Sequence, residues 1–148
     1  MHTLDSISHN ILHHLERNGR VSNVELAERV GLSPSACLRR VQELERSGII
    51  KGYKAVIDRS KLGGGFIVFV AVGFSQQRKS DQEAFERAMM QAPEVIECHN
   101  VSGSIEYILK VEVADLAAYK KFHTETLGTC PELNSITSYI AMSSPKEV

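Results

Sequence analysis

Ser22-Asn23-Val24-Glu25-Leu26-Ala27-Glu28-Arg29-Val30-Gly31-Leu32-Ser33-Pro34-Ser35-Ala36-Cys37-Leu38-Arg39-Arg40-Val41, residues 22 to 41, holds two helix starts and one helix stop. Ser22 followed by Glu25 reads as a capping box that opens a short helix. Leu26, Ala27 and Val30 supply its apolar stripe, and Gly31 can take the left-handed conformation that closes it. Ser33 then caps a second helix, with Pro34 at the first helical position, where a missing N–H costs nothing. Two short helices joined by a glycine-containing turn, the second carrying arginines, form a helix-turn-helix. That motif lays its second helix in the major groove of double-stranded DNA.

The second helix sorts its residues by face. Cys37, Leu38, Val41 and Leu44 follow helical spacing and are expected in the core. Ser33, Ser35, Ala36, Arg39, Arg40 and Glu43 lie mostly on other faces. The N-terminal part of a recognition helix reaches base edges, so Ser35, Ala36 and Arg39 are expected at bases. Ser33, Arg40 and Gln42 are expected at phosphates, and Ser22, Asn23 and Pro34 complete the DNA-facing set. Two arginines on a helix would by themselves fit a small bundle with solvated charges. The two caps, the glycine turn and the flanking helix weigh against that.

Outward from this motif, Asp5 is placed to cap a first helix running to Arg17, with Ile7, Ile11, Leu12 and Leu15 on one face and Asn18-Gly19 ending it. Gly48 stops the third helix. Residues 49 to 58, Ile49-Ile50-Lys51-Gly52-Tyr53-Lys54-Ala55-Val56-Ile57-Asp58, are rich in β-formers and predict a wing or hairpin, with Lys51 and Lys54 beside the DNA backbone.

Gly63-Gly64-Gly65 marks a change of rhythm. Phe66 to Phe74 reads as a strand. Ser80-Asp81-Gln82-Glu83 reads as a second capping box, opening a helix with Ala84, Phe85, Ala88 and Met89 inward and Pro93 beyond its end. Val95 to Ser102 and Glu106 to Val113 read as strands joined at Gly103-Ser104. Asp115 caps a helix carrying Leu116, Tyr119, Phe122 and Leu127, and Ile136 to Met142 is the last strand. The order β-α-β-β-α-β is ferredoxin-like. The fold class is therefore α+β: a winged helix-turn-helix domain over 1–50, a wing or hairpin linker over 51–64, and a ferredoxin-like domain over 65–148.

In a ferredoxin-like sheet both helices cover one face. The strand Phe66-Ile67-Val68-Phe69-Val70-Ala71-Val72 is apolar on both. An uncovered apolar sheet face favours aggregation unless a partner covers it, so a two-fold homodimer is expected. Such a dimer pairs its recognition helices for DNA half-sites.

The bulk charge is poor for a DNA binder, and only the first part of the chain suits phosphates, weakly. The net charge of −1 is unevenly spread: residues 1–60 hold nine Lys/Arg against seven Asp/Glu, and the remainder eight against eleven. A surplus this small leaves one copy a weak DNA binder, and several copies acting together are expected. The cysteines at 37, 98 and 130 match no zinc pattern or disulfide framework, which fits a reducing cytoplasm. Met1-His2-Thr3-Leu4-Asp5 lacks the basic-then-apolar form of a signal peptide, and no apolar run is long enough to cross a membrane.

The chain resembles the leucine-responsive regulatory protein (Lrp/AsnC) family of transcription regulators from Leu4 to about Lys146. The resemblance rests on Arg20-Val21-Ser22-Asn23-Val24-Glu25-Leu26-Ala27, Val30-Gly31-Leu32-Ser33-Pro34, Arg39-Arg40-Val41, Leu44-Glu45, Gly48-Ile49-Ile50 and Gly52-Tyr53. In the second half it rests on Val95-Ile96-Glu97-Cys98-His99, Val101-Ser102-Gly103 and Tyr107-Ile108-Leu109-Lys110. It implies a regulator of amino-acid metabolism genes and of its own gene, assembled as dimers and commonly as four dimers in a ring. It also implies a small effector, usually an amino acid, bound in clefts between dimers and no other cofactor. Carried onto this chain, the effector residues are Val101, Ser102, Gly103, Ser104, Glu106 and Tyr107, with Thr137, Ser138 and Tyr139 from the last strand of a neighbouring subunit. Family members carry an acidic residue after the glycine and an aspartate before the tyrosine, where this chain has Ser104 and Glu106. Loss of the first carboxylate removes a partner for an effector's ammonium group.

Other signals carry less. His9 and His13 have metal-binding spacing but no third ligand, so no metal site is expected. Cys98 and His99 alternate across a strand and cannot pair for catalysis, and Cys37 reads as a core residue more than a redox sensor. An enzyme is the competing class, because ferredoxin-like domains host many chemistries. The chain has no phosphate loop, complete metal-ligand pattern or nucleophile–base pair, so no enzymatic activity is expected. An architectural protein that compacts DNA without an effector is the other alternative.

Overall fold

A computed structural model describes residues 3–147 and divides the chain into two compact units, Met1–Val56 and Ile57–Val148. In the first, α1 (Ser6–Arg17), α2 (Asn23–Val30) and α3 (Pro34–Arg46) enclose Ile11, Leu26, Ala27, Cys37 and Leu44. The expected caps form. Asp5, Ser22 and Ser33 accept the amides of Ser8, Glu25 and Ala36, and Gly31 closes α2 at φ 72°. Only half of the Ser22 capping box is made, because the Glu25 carboxylate turns along the helix to Arg29 at 2.6 Å. Leu38, expected in the core, is 45% exposed. The inward stripe of α3 is Cys37, Val41 and Leu44, and Leu38 sits one residue, about 100°, off it.

No wing strand forms. Residues 51–58 form neither helix nor strand and have no ladder partner among the described residues. β-forming side chains favour extended backbone, whereas a strand also needs a neighbouring edge. Residues 50–53 are instead tied to α3, through the Ile50 amide to the Leu44 carbonyl at 3.0 Å and the Tyr53 hydroxyl to Glu45 at 2.9 Å.

The second unit begins with a 3₁₀ turn, Arg59–Leu62, then runs β1 (Phe66–Phe74), α4 (Lys79–Gln91), β2 (Val95–Asn100), β3 (Tyr107–Val113), α5 (Leu116–Glu125) and β4 (Leu133–Ile140). The strands form an antiparallel sheet in the order β2-β3-β1-β4, the ferredoxin-like arrangement. Val68, Val70 and Val72 of β1 and Leu109 and Val111 of β3 pack against Phe85 and Met89 of α4 and Tyr119 and Phe122 of α5. The α4 start differs from expectation. The helix opens two residues earlier, after Arg78, without a side-chain cap, and Glu83 pairs with Lys79 instead of completing a box. Leu116, expected inward, is 58% exposed at the first position of α5, and Leu127 fills the core from a separate 3₁₀ turn.

Alternation leaves Ile67, Phe69 and Ala71 of β1 on the opposite sheet face, where the register sets them beside Ile108 and Lys110 of β3 and Thr137 and Tyr139 of β4. Phe69 and Tyr139 are 41% and 59% exposed. This face lacks a covering element within the described residues of its unit.

Candidate DNA interface and effector loop

The turn between α2 and α3 is cross-braced. Asn23 donates its Nδ2–H to the Pro34 carbonyl at 2.8 Å, joining the first residues of the two helices. Asn23 thus spends its side chain on the turn. Ser33 accepts the Ala36 amide at 3.2 Å and lies 3.3 Å from the Ser35 hydroxyl. Ser22, Ser33, Pro34, Ser35, Arg39 and Gln42 are exposed, and Asn23, Ala36 and Arg40 are half-buried.

The arginines of α3 differ in their partners. Arg46 makes two bonds to the Glu43 carboxylate, at 2.6 and 3.0 Å. Arg40 donates to the Asp5 carboxylate and, at 3.3 Å, to the Ser8 hydroxyl. Arg39 is exposed and makes no ion pair with a described residue. Asp5 and Ser8 were missed in the sequence as neighbours of the recognition helix, since nothing in the spacing joins residues 35 apart. The Arg40 guanidinium, followed by the Ser8 amide, holds the Asp5 carboxyl down to about 2 from its ordinary 3.8.

In the second unit the residues of the expected effector set separate into three groups. Ser102, Gly103 and Ser104 form an exposed loop, with Gly103 at φ 143° and Val101 half-buried at its start. Glu106 knots the loop to the sheet. Its amide donates to the Val72 carbonyl at 3.0 Å, its carbonyl accepts the Val101 amide at 2.9 Å, and its carboxylate accepts the Phe74 amide at 2.6 Å. Tyr107 and Ser138 instead turn to the helix side. Tyr107 is buried with its hydroxyl donating to Glu86 at 2.6 Å, and burial, then Glu86, raises its phenol well above the usual value. Ser138 bonds the Tyr119 hydroxyl. Thr137 and Tyr139 share the open sheet face with Ala71 and Phe69. Glu86 and Tyr119 escaped the sequence reading because only the folded sheet brings helix and strand together.

Among the described residues no three His, Cys, Asp or Glu side chains converge as a metal site. Cys98 is half-buried, and the exposed His99 lies 3.1 Å from Glu97.

Residues 67–148 match the family model of the Lrp/AsnC ligand binding domain, and residues 4–51 match that of a winged helix-turn-helix DNA-binding domain. The leucine-responsive regulatory protein of Escherichia coli is 43% identical over 144 residues, covering 97% of this chain and 88% of that protein. A transcriptional regulator from Neisseria meningitidis, whose crystal structure holds L-Met, superposes with a TM-score of 0.93 at 34% identity, over 98% of this chain and 94% of the other. An AsnC family regulator from Agrobacterium tumefaciens superposes with a TM-score of 0.91 at 30% identity, over 97% and 94%.

Proposed function

The chain belongs to the Lrp/AsnC family of transcription regulators, and we propose that it binds operators sequence-specifically and responds to an amino acid. The observation that carries the DNA half is the exposed, unpaired Arg39 on a recognition helix whose start is braced by Ser33, Pro34 and Asn23. Ser35, Ala36 and Arg39 meet bases in this reading. Ser22, Ser33 and Gln42 meet phosphates, and Asn23 and Pro34 hold the turn that presents them.

The effector is an amino acid in this proposal, and the support is by likeness. The Neisseria regulator holds L-Met, and the E. coli relative is named leucine-responsive. Val101, Ser102, Gly103, Ser104 and Glu106 form one wall of the cleft, and Thr137 and Tyr139 of a neighbouring subunit form the other. Tyr107 and Ser138 support these walls from the core side. Two subunits cover each other's open sheet faces, four such dimers form a ring, and the assembly works in the cytoplasm on amino-acid metabolism genes and its own gene.

The test is the melting temperature of the purified chain against each amino acid over a concentration range. A ligand bound only by the folded state adds about 2.7 kcal/mol at 100 times its Kd. One saturable rise is expected, and it names the effector. A flat response to every amino acid would overturn the amino-acid reading and favour an architectural role on DNA.

A further inference from the structure

Arg39 and Arg40 are adjacent in sequence, yet the turn of α3 sends them to different fates. Arg39 projects into solvent, and Arg40 turns back to the first turn of α1. There one carboxylate does two jobs: Asp5 caps α1 by accepting the Ser8 amide at 2.8 Å through Oδ1, and it receives Arg40 through Oδ2. The same Arg40 nitrogen donates to the hydroxyl of Ser8, a buried side chain. A guanidinium paired with a carboxylate has its charge offset there, so it attracts a phosphate less than a free one does. Resting on the DNA-binding reading above, we infer that Arg40 is a positioning residue for DNA binding. Its ties to Asp5 and Ser8 fix α3 against the start of α1 and withhold its charge from phosphate, leaving Arg39 as the α3 arginine available to DNA.

Asp5 stays ionised throughout the range in which DNA binding is measured, because Arg40 and the Ser8 amide hold its carboxyl down to about 2. Arg46 lies in the last turn of α3 and pairs there with Glu43 on the exposed face. A recognition helix with three arginines therefore presents one unpaired guanidinium. Non-specific attraction stays low, which fits the small positive surplus of residues 1–60.

The experiment uses the full chain and a short duplex that the parent recovers from a randomised pool. Affinity is measured against salt concentration, at temperatures where every variant is fully folded, for the parent, Arg39→Gln, Arg40→Gln and Asp5→Asn. Arg39→Gln is expected to flatten the slope of log affinity against log salt by about one for each recognition helix engaged. Arg40→Gln is expected to weaken binding severalfold while keeping the parental slope. Asp5→Asn keeps a good N-cap but removes the charge. It is expected to lower the preference for the selected duplex over a scrambled one, with a slope no shallower than the parent's. An Arg40→Gln slope as shallow as that of Arg39→Gln would overturn the inference, because Arg40 would then touch phosphate. Unchanged affinity and preference in Arg40→Gln would also overturn it, since a merely structural arginine lowers the melting temperature and nothing else. If Arg40→Gln does not fold, Asp5→Asn decides, and an unchanged preference sinks the proposal. A parent that recovers no duplex would instead bring down the DNA-binding reading itself.

Discussion

Glu106 accepts the backbone N–H of Phe74 at 2.6 Å, at the end of β1 where its pairing with β4 shifts register. The irregularity leaves that amide in need of an acceptor, and the carboxylate supplies one from the residue just before β3. Glu106→Ala is expected to cost about 1–3 kcal/mol, because it strands a part-buried donor. Glu106→Gln keeps an acceptor oxygen and is expected to cost less than about 1 kcal/mol. Urea unfolding of both variants checks this, and equal losses would mean that the bond contributes little.

Arg39→Ala is expected to weaken operator binding by about 1–3 kcal/mol and to relax base preference at one position. Subunit assembly is expected to stay as in the parent. Fluorescence anisotropy on the selected duplex, with light scattering for assembly, tests both halves.

Phe69→Glu is expected to yield smaller species in light scattering with an unchanged circular dichroism spectrum. Phe69 lies opposite Lys110 on the open sheet face, so a carboxylate is tolerated in a separate subunit. Between two packed sheets the same charge loses its water. Parental assembly in this variant would place the subunit interface elsewhere.

The acid limb of stability is expected to depend on Asp5. Its folded carboxyl lies below the ordinary 3.8, at about 2, so the unfolded chain takes up the proton first. The contribution is complete above the ordinary value and is lost as pH falls towards 2. Melting temperatures of the parent and Asp5→Asn are therefore expected to differ at neutral pH and to converge through that acid window. A constant difference would contradict the Asp5–Arg40 tie.

Cys37 is expected to resist thiol reagents until the helical unit opens. It is fully buried on the inner face of α3, and burial raises its thiol, which depletes the reactive thiolate. Peptide mapping after timed labelling is expected to find Cys98 and Cys130, both half-buried, modified first. Labelling of Cys37 at their rate would revive a redox role for the recognition helix.

The sequence by itself determined whatever depends on a few adjacent residues. Asp5, Ser22, Ser33 and Asp115 cap helices in the structure, as their places at the heads of helical patterns predict. Gly31 turns left-handed where a helix had to stop, and apolar rhythm set the βαββαβ order. These are short-range backbone requirements that a linear pattern carries, and the exception is α4, which opens after Arg78 instead of at Ser80. Tertiary structure alone decided how the side chains of the site are used. Arg40 meets Asp5 across 35 residues, Glu106 meets Phe74 across 32, and Tyr107 meets Glu86 across 21. It also left Leu38 and Leu116 in solvent and residues 51–58 without a strand partner. A spacing rule says which face a residue prefers. Only the packed chain settles which charge, amide or hydroxyl waits there, because that choice minimises unpaired polar groups over the whole fold.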